Sequence, residues 1–354
     1  MNSHDPAKEK SVYGAGINAH DPVKEKTTYT AGINPHELVK EKITYTAGGY
    51  THADIHILFT TDKRYLTYCG VCIFSIIDKN PALDITFHLF TDEYNDLFPS
   101  SFFSRHPNIS VVVYLLNNKV FDGLQVYDFY PESIYYRIVA SNILHQDVSQ
   151  LLYLDCDIVC DGSISALLEI NMADYTIAAV QDKGMNPEYL TYLGLSKEKR
   201  YFNSGVMLIN TQAWVDNEVT EQFFVKIKDK KYTFPDQDCL NILLDNEVCF
   251  IGPEFNFIPK NKSTDKTPIF IHYAGQTKPW SVSIEESGYN KKYIDMYQKS
   301  PWKDVPLEMP KKAFESYHYA KKLLMKKRLL LAAYWLTVST FQFIGKKLRS
   351  KSAG

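Results

Sequence analysis

The chain has 354 residues, 45% of them hydrophobic and 14% aromatic, with a formal net charge of −2. That is enough apolar material for one large α/β domain of roughly 250 residues plus extras, and the near balance of charge argues against general nucleic-acid binding. The charge is unevenly placed, however: from residue 311 onward 11 Lys and Arg stand against one acid, Glu315, a local excess of +10.

The first 50 residues are polar and lack the apolar run of a secretory signal. Six cysteines, at 69, 72, 156, 160, 239 and 249, are scattered through mostly apolar surroundings. Both observations predict a reducing, cytoplasmic setting. Cys69 and Cys72 form a CxxC with no second pair to complete a zinc site, so they read as core packing.

Residues 4–50 repeat every 16 residues: His4-Asp5-Pro6-Ala7-Lys8-Glu9-Lys10 returns at His20 and, altered, at His36. Tyr13, Tyr29 and Tyr45 keep step, and so do Gly16, Gly32 and Gly48. Each unit offers few apolar side chains, which predicts a weakly ordered leader over residues 1–53 rather than a solenoid. Regularly spaced histidines as metal ligands are the sharper alternative.

The folded body begins near Asp54. Residues 55–60 read as a strand, 65–78 as a helix, 84–90 and 109–115 as strands, and 134–144 as a helix leading into the apolar run 151–159. That alternation predicts a doubly wound, mostly parallel sheet. Strands at 177–180 and 206–209 and helices at 211–228 and 236–244 follow.

The run Leu151-Leu152-Tyr153-Leu154-Asp155-Cys156-Asp157-Ile158-Val159 is central. It reads as a buried parallel strand with two acids, and an extended backbone would point both carboxylates to one side. At the carboxyl edge of an open sheet, such a pair suits a hard divalent cation whose other positions are filled by phosphates. Further polar signals lie in Thr60-Thr61-Asp62, Tyr201-Phe202-Asn203-Ser204-Gly205, Pro235-Asp236-Gln237-Asp238, and His272-Tyr273-Ala274-Gly275-Gln276-Thr277-Lys278-Pro279-Trp280.

Together these blocks resemble glycosyltransferase family 8, retaining enzymes of the GT-A fold, over residues 54–303. The likeness is strongest to the bacterial lipopolysaccharide core α-glucosyl- and α-galactosyltransferases. It implies a Rossmann-like mixed sheet and a UDP-glucose or UDP-galactose donor. It also implies Mn²⁺ or Mg²⁺ held by Asp155, Asp157 and His272. Thr60 and Asp62 match the positions that hold uracil and ribose, with Arg64 where the family commonly has Asn. Arg137 matches the residue that grips the donor, and Cys156 lies between the metal acids. Asn203, Ser204 and Gly205 match the segment beside the donor sugar, while Gly275 and Lys278 match the diphosphate cradle. Asp182, Asp236 and Gln237 are the catalytic candidates. The implied acceptor is a lipid-linked core oligosaccharide.

After Pro310, basic residues 311–328 precede an apolar stretch, 329–344, and then Lys346-Lys347-Leu348-Arg349. Sixteen apolar-leaning residues with cations on both sides are short for a membrane span. Residues 304–354 therefore read as a helical tail lying on an anionic membrane surface, on the inner face of the bacterial inner membrane. Two other readings stand beside this one. Asp155-Cys156-Asp157-Ile158-Val159 also resembles the motif of haloacid-dehalogenase-type phosphotransferases, with Asp155 as nucleophile. A non-catalytic binding protein could use the repeats on a glycosyltransferase scaffold.

Overall fold

The computed structural model describes residues 23–25, 38–47, 53–99, 101–127, 131–259, 266–275 and 277–352. The strands, in chain order, are β1 (Val23–Glu25), β2 (Val39–Thr46), β3 (Ile55–Thr61), β4 (Ile85–Thr91) and β5 (Ile109–Leu116). There follow β6 (Gln150–Leu154), β7 (Ile158–Cys160), β8 (Ile177–Gln181), β9 (Phe202–Asn210), β10 (Val248–Ile251) and β11 (Phe270–His272). The large sheet has the order β1-β2-β5-β4-β3-β6-β9-β8-β10, and β11 pairs with β7 in a two-stranded ribbon.

Strands β5, β4, β3 and β6 are mutually parallel. β9 is reversed between β6 and β8, and β10 lies parallel to β8. The sheet is thus mixed and mostly parallel, as the alternation of strands and helices predicts. Its central strands are near-continuous apolar runs because both faces are covered. Ile55, Ile57 and Phe59 point into one core with the helix Leu66–Lys79, while Leu58 points into the other with Tyr136–Leu144. Trp302 closes the first core on that helix: a Cβ at Gly70 would stand 2.7 Å from its ring. Cys69 and Cys72 are wholly buried there, in keeping with core packing.

From β3 the chain grows outward to β4 and β5, then returns to build β6 on the other side of β3. The strand order therefore reverses between β3 and β6, and the carboxyl ends of these strands bound the crevice where such sheets bind ligands.

Three expectations are corrected. The run 151–159 is not one strand: β6 stops at Leu154, residues 155–157 turn, and β7 leaves for the ribbon. The helix expected over 211–228 is two, Thr211–Asp216 and Val219–Lys226, parted at Glu218 with φ of 47°. Buried Trp214 sets that break, its indole N–H donating at 3.0 Å to the Thr220 hydroxyl beyond it. The third correction concerns the leader, expected to be weakly ordered. Its third repeat forms β2, pairs antiparallel with β5, and buries Leu38, Val39, Ile43 and Tyr45. Tyr45 stacks on Phe103 at 5.7 Å and its hydroxyl donates to Asp96 at 3.0 Å. From the second repeat, β1 pairs with β2. The first repeat and the spaced histidines 4, 20, 36 and 52 lie outside the described residues.

The tail forms two helices, Ala313–Met325 and Leu329–Ser352, joined through Lys327 at φ 56°. Ser339 donates to the Ala313 carbonyl at 2.7 Å and Tyr319 meets Trp335 edge-on at 5.4 Å, so the helices pack on each other. Lys322 fastens the pair to the body through Glu286 at 2.8 Å and the carbonyls of Val282 and Ile284, both at 3.1 Å. Among the described residues no helix is long and apolar enough to cross a membrane.

Candidate active site

The two acids sit on a turn at the seam between the sheets, rather than on an extended strand. The Asp155 amide donates to the Gly205 carbonyl at 2.9 Å, holding that end of the turn to β9. The Tyr273 amide donates to the Asp157 carbonyl at 2.9 Å, holding the other end to the chain just past β11. His272 closes β11 opposite Ile158. Its Nε2 lies 3.6 Å from Asp155 Oδ2 and 3.2 Å from Asp157 Oδ1. One ligand atom from each of the three residues falls within 4.8 Å of the others. Two carboxylate oxygens and one imidazole nitrogen at that spacing fit a divalent cation such as Mn²⁺ or Mg²⁺. Position 205 admits only glycine: a Cβ there would come within 2.3 Å of the His272 ring and 2.7 Å of Asp155 Oδ2.

Each acid has its own cation. Asp155 Oδ1 accepts from Arg137 Nη2 at 3.1 Å and from the Tyr153 hydroxyl at 2.6 Å. Asp157 Oδ2 accepts from Lys278, whose ammonium also donates to the Tyr273 carbonyl at 3.2 Å. Burial alone would raise the Asp157 carboxyl, but Lys278 and His272 beside it hold it well below the usual carboxylate range. Burial would likewise lower Lys278, and Asp157 raises it instead. This pair stays charged through neutral pH.

Arg137 was expected to grip the donor. In the structure it is 5% exposed, with Nε given to the Ile134 carbonyl at 3.0 Å and Nη1 to the Ser204 carbonyl and Asp236 Oδ2, both at 3.2 Å. Its guanidinium lies 4.1 Å from the centre of the Tyr153 ring. It thus bridges the Asp155 and Asp236 carboxyl groups.

Asp236 and Gln237 open the helix Pro235–Leu243 and are both buried. Burial raises Asp236, against the pull of Arg137. Gln237 Oε1 accepts from Asn203 Nδ2 at 2.9 Å and from the Ser204 amide at 3.0 Å. An oxygen so engaged is a poor nucleophile. Asp182 differs: its Oδ1 accepts from the Gly184 amide at 3.1 Å, and the residue lines a small cavity of about 20 Å³ with Asn203 and Asn256.

At the end of β3, Thr60 lies 3.4 Å from the Tyr153 hydroxyl. Asp62 is clasped by Arg64, whose amide, Nε and Nη2 donate at 2.8, 3.1 and 2.6 Å. Asp62 and Arg64 edge an open cleft of about 490 Å³ shared with Tyr127, Glu132 and Tyr136. The Cys156 thiol turns into the core and meets the Thr60 carbonyl at 3.7 Å. Gly275 takes φ of 102°, the left-handed turn that brings Lys278 back over Asp157. Trp280 steadies that loop by stacking on Tyr68 at 3.9 Å. Sequence reasoning missed Tyr153 and Asn256. The first was visible within the central motif; for the second, no spacing pointed to it.

A nucleotide-type sheet with an acidic, cation-competent site at its switch point is the setting of an α/β protein that binds phosphate esters. The profile of Glycosyl transferase family 8 matches residues 56–283, and the chain belongs to that family. It is 31% identical over 300 residues to the lipopolysaccharide glucosyltransferase WaaO of Escherichia coli K12, covering 78% of this chain and 87% of that one. It is 29% identical over 299 residues to a lipopolysaccharide 1,3-galactosyltransferase of Salmonella typhimurium, covering 78% and 88%. In fold it is similar to the galactosyltransferase LgtC, solved in complex with donor and acceptor sugar analogs. The TM-score is 0.59 at 23% identity, covering 70% of this chain and 96% of that one. The fold is therefore GT-A, and membership of this family sets aside the phosphotransferase reading of Asp155.

Proposed function

We propose that the protein transfers glucose or galactose from its UDP ester to a lipopolysaccharide core oligosaccharide, with retention at the anomeric carbon. The observation that carries this reading is the convergence of Asp155, Asp157 and His272 at the β3–β6 switch point. The names of the relatives supply the acceptor class and the two candidate sugars. A Mn²⁺ or Mg²⁺ ion held by the three side chains would act as a Lewis acid toward the diphosphate.

The chain's own groups do the rest. Lys278, held beside Asp157 just past the turn at Gly275, offers a cation to the charge that grows on departing UDP. Arg137 bridges the Asp155 and Asp236 carboxyl groups beside the sugar, where negative charge favours an oxocarbenium-like state. Because Gln237 Oε1 is already doubly engaged, front-face displacement is favoured over attack by Gln237, with the incoming hydroxyl's proton passing to the leaving UDP oxygen. Asp182 and Asp236 are the rivals for a covalent step, Asp182 being the less encumbered. The tail lies on an anionic membrane face in this reading, where it would meet a lipid-linked acceptor.

Turnover of UDP-glucose or UDP-galactose by purified protein should require Mn²⁺ or Mg²⁺, and Asp157→Ala should abolish it. Undiminished turnover in that variant would refute the site. A melting-temperature panel of nucleotide sugars with Mn²⁺ identifies the donor.

A further inference from the structure

We propose that Asn256 is a positioning residue: it fixes which nitrogen of His272 faces the two acids and links that histidine to the amides beside the donor sugar. The proposal rests on the metal and donor reading above.

The direction of every hydrogen bond in this network follows from two backbone amides, which can only donate. The Ser204 amide donates to Gln237 at 3.0 Å, so the atom it meets is the carboxamide oxygen. The Gln237 amino group then faces the Tyr201 hydroxyl at 3.2 Å, and that hydroxyl donates to Asp238 Oδ1 at 2.5 Å. The Gly205 amide donates to Asn203 at 3.1 Å, which fixes that side chain's oxygen too. Its amino group therefore donates to Gln237 at 2.9 Å. Asn256, meeting the Asn203 oxygen at 2.8 Å, must present its own amino group there.

One orientation of Asn256 remains. Its oxygen faces His272 Nδ1 at 2.8 Å, and only a proton on Nδ1 satisfies that contact. Nε2 is then the nitrogen whose lone pair is free for a cation, and it is the one turned toward Asp157 and Asp155. The result is a one-way run of donors from His272 through Asn256, Asn203, Gln237 and Tyr201 to a carboxylate. Asn256 is rigid enough for the task. It is 4% exposed and ends the turn Pro253–Asn256. The next residue, Phe257, is clamped to β11 by 2.9 Å bonds to Phe270 and His272. A partner that orients a ligating histidine is commonly worth 10- to 100-fold in metal affinity, on the order seen for such outer contacts.

Two substitutions separate the halves of this claim. Asn256→Ala removes acceptor and donor alike. Asn256→Asp keeps an acceptor for His272 but offers Asn203 no proton. With Mn²⁺ alone as the probe, titrated against the full-length protein, Asn256→Ala should weaken binding about 10- to 100-fold. Asn256→Asp should hold Mn²⁺ near the wild-type affinity while kcat for UDP-sugar turnover falls. Wild-type Mn²⁺ affinity in Asn256→Ala overturns the proposal. So does an equal loss in both variants, which would mean lost packing rather than a lost acceptor. If Asn256→Ala fails to fold, Asn256→Asp decides alone: retained Mn²⁺ affinity with reduced kcat supports the role, and weakened Mn²⁺ binding ends it. Wild-type protein that binds no Mn²⁺ would instead remove the metal reading beneath the proposal.

Discussion

The active site and the C-terminal helix pair invert the usual distribution of residues in opposite ways. At the site, polar and charged groups are buried: Arg137, Asp157, Asp236, Gln237, Asp238, Asn256 and His272 are all less than 9% exposed. In the tail, large apolar side chains are exposed, among them Leu330 at 90%, Phe341 at 71% and Met325 at 70%. A buried charge is tolerated only when it is paired, and an exposed apolar face persists only when something else covers it. The site answers its problem internally, with an ion partner or hydrogen bond for each group. The tail leaves its problem open, and Lys321, Lys326, Lys327 and Arg328 stand in the same stretch of chain.

The largest effect on that contrast should come from Arg137→Leu. It strips buried Asp236 and half-buried Asp155 of their shared cation and should cost about 3–5 kcal/mol of stability, read by chemical denaturation. A denaturation midpoint like that of the wild type would mean that Arg137 does not hold the network together. Gly205→Ala should cost about 1–3 kcal/mol by overpacking and should abolish Mn²⁺ binding, since the added methyl must move His272 or Asp155.

His88 offers a control, a buried polar group remote from the chemistry. Burial pushes its imidazole down to about 3, while Nε2 lies 2.9 Å from His56 and Nδ1 lies 3.3 Å from Tyr114. The folded state thus holds it neutral, and its contribution is complete above the unfolded-state value near 6.5. It declines as pH falls from there toward about 3. At pH 5 the loss should be about 2 kcal/mol, and it should vanish in His88→Leu when both melts are followed from pH 7 to 5. The smallest effect on stability belongs to the tail. Replacing Leu330, Phe341 and Phe343 together by Ser should change stability by less than about 0.5 kcal/mol per site. The same change should abolish co-sedimentation with anionic lipid vesicles, and retained binding would locate the membrane contact elsewhere.

Much of the body was legible because its signals are local. Continuous apolar runs gave β3, β4 and β5, and the acids after β6 marked the switch point. The blocks around Asn203, Asp236 and His272 could be joined only through family resemblance, because nothing in their spacing says that they meet. The break of the central strand after Leu154 was hidden, since Ile158 and Val159 are as strand-like as Leu151 and Leu152 whichever sheet they enter. The third repeat was misjudged for a different reason. Ile43 and Tyr45 alternate with Lys42, Thr44 and Thr46 as a half-buried strand should, but a 16-residue period drew attention to the repeat instead of to the pleat. Asn256 has no local signature at all, for its meaning lies in two amides more than 50 residues earlier.

The crossing from β6 to β7 has a mechanical consequence. Asp155 travels with the large sheet, whereas Asp157 and His272 travel with the ribbon. Their separation is therefore a gauge of how the two sheets are seated on each other. Apolar changes beneath the ribbon, at Ile158, Phe270 or Ile271, would detune catalysis without touching a single polar atom.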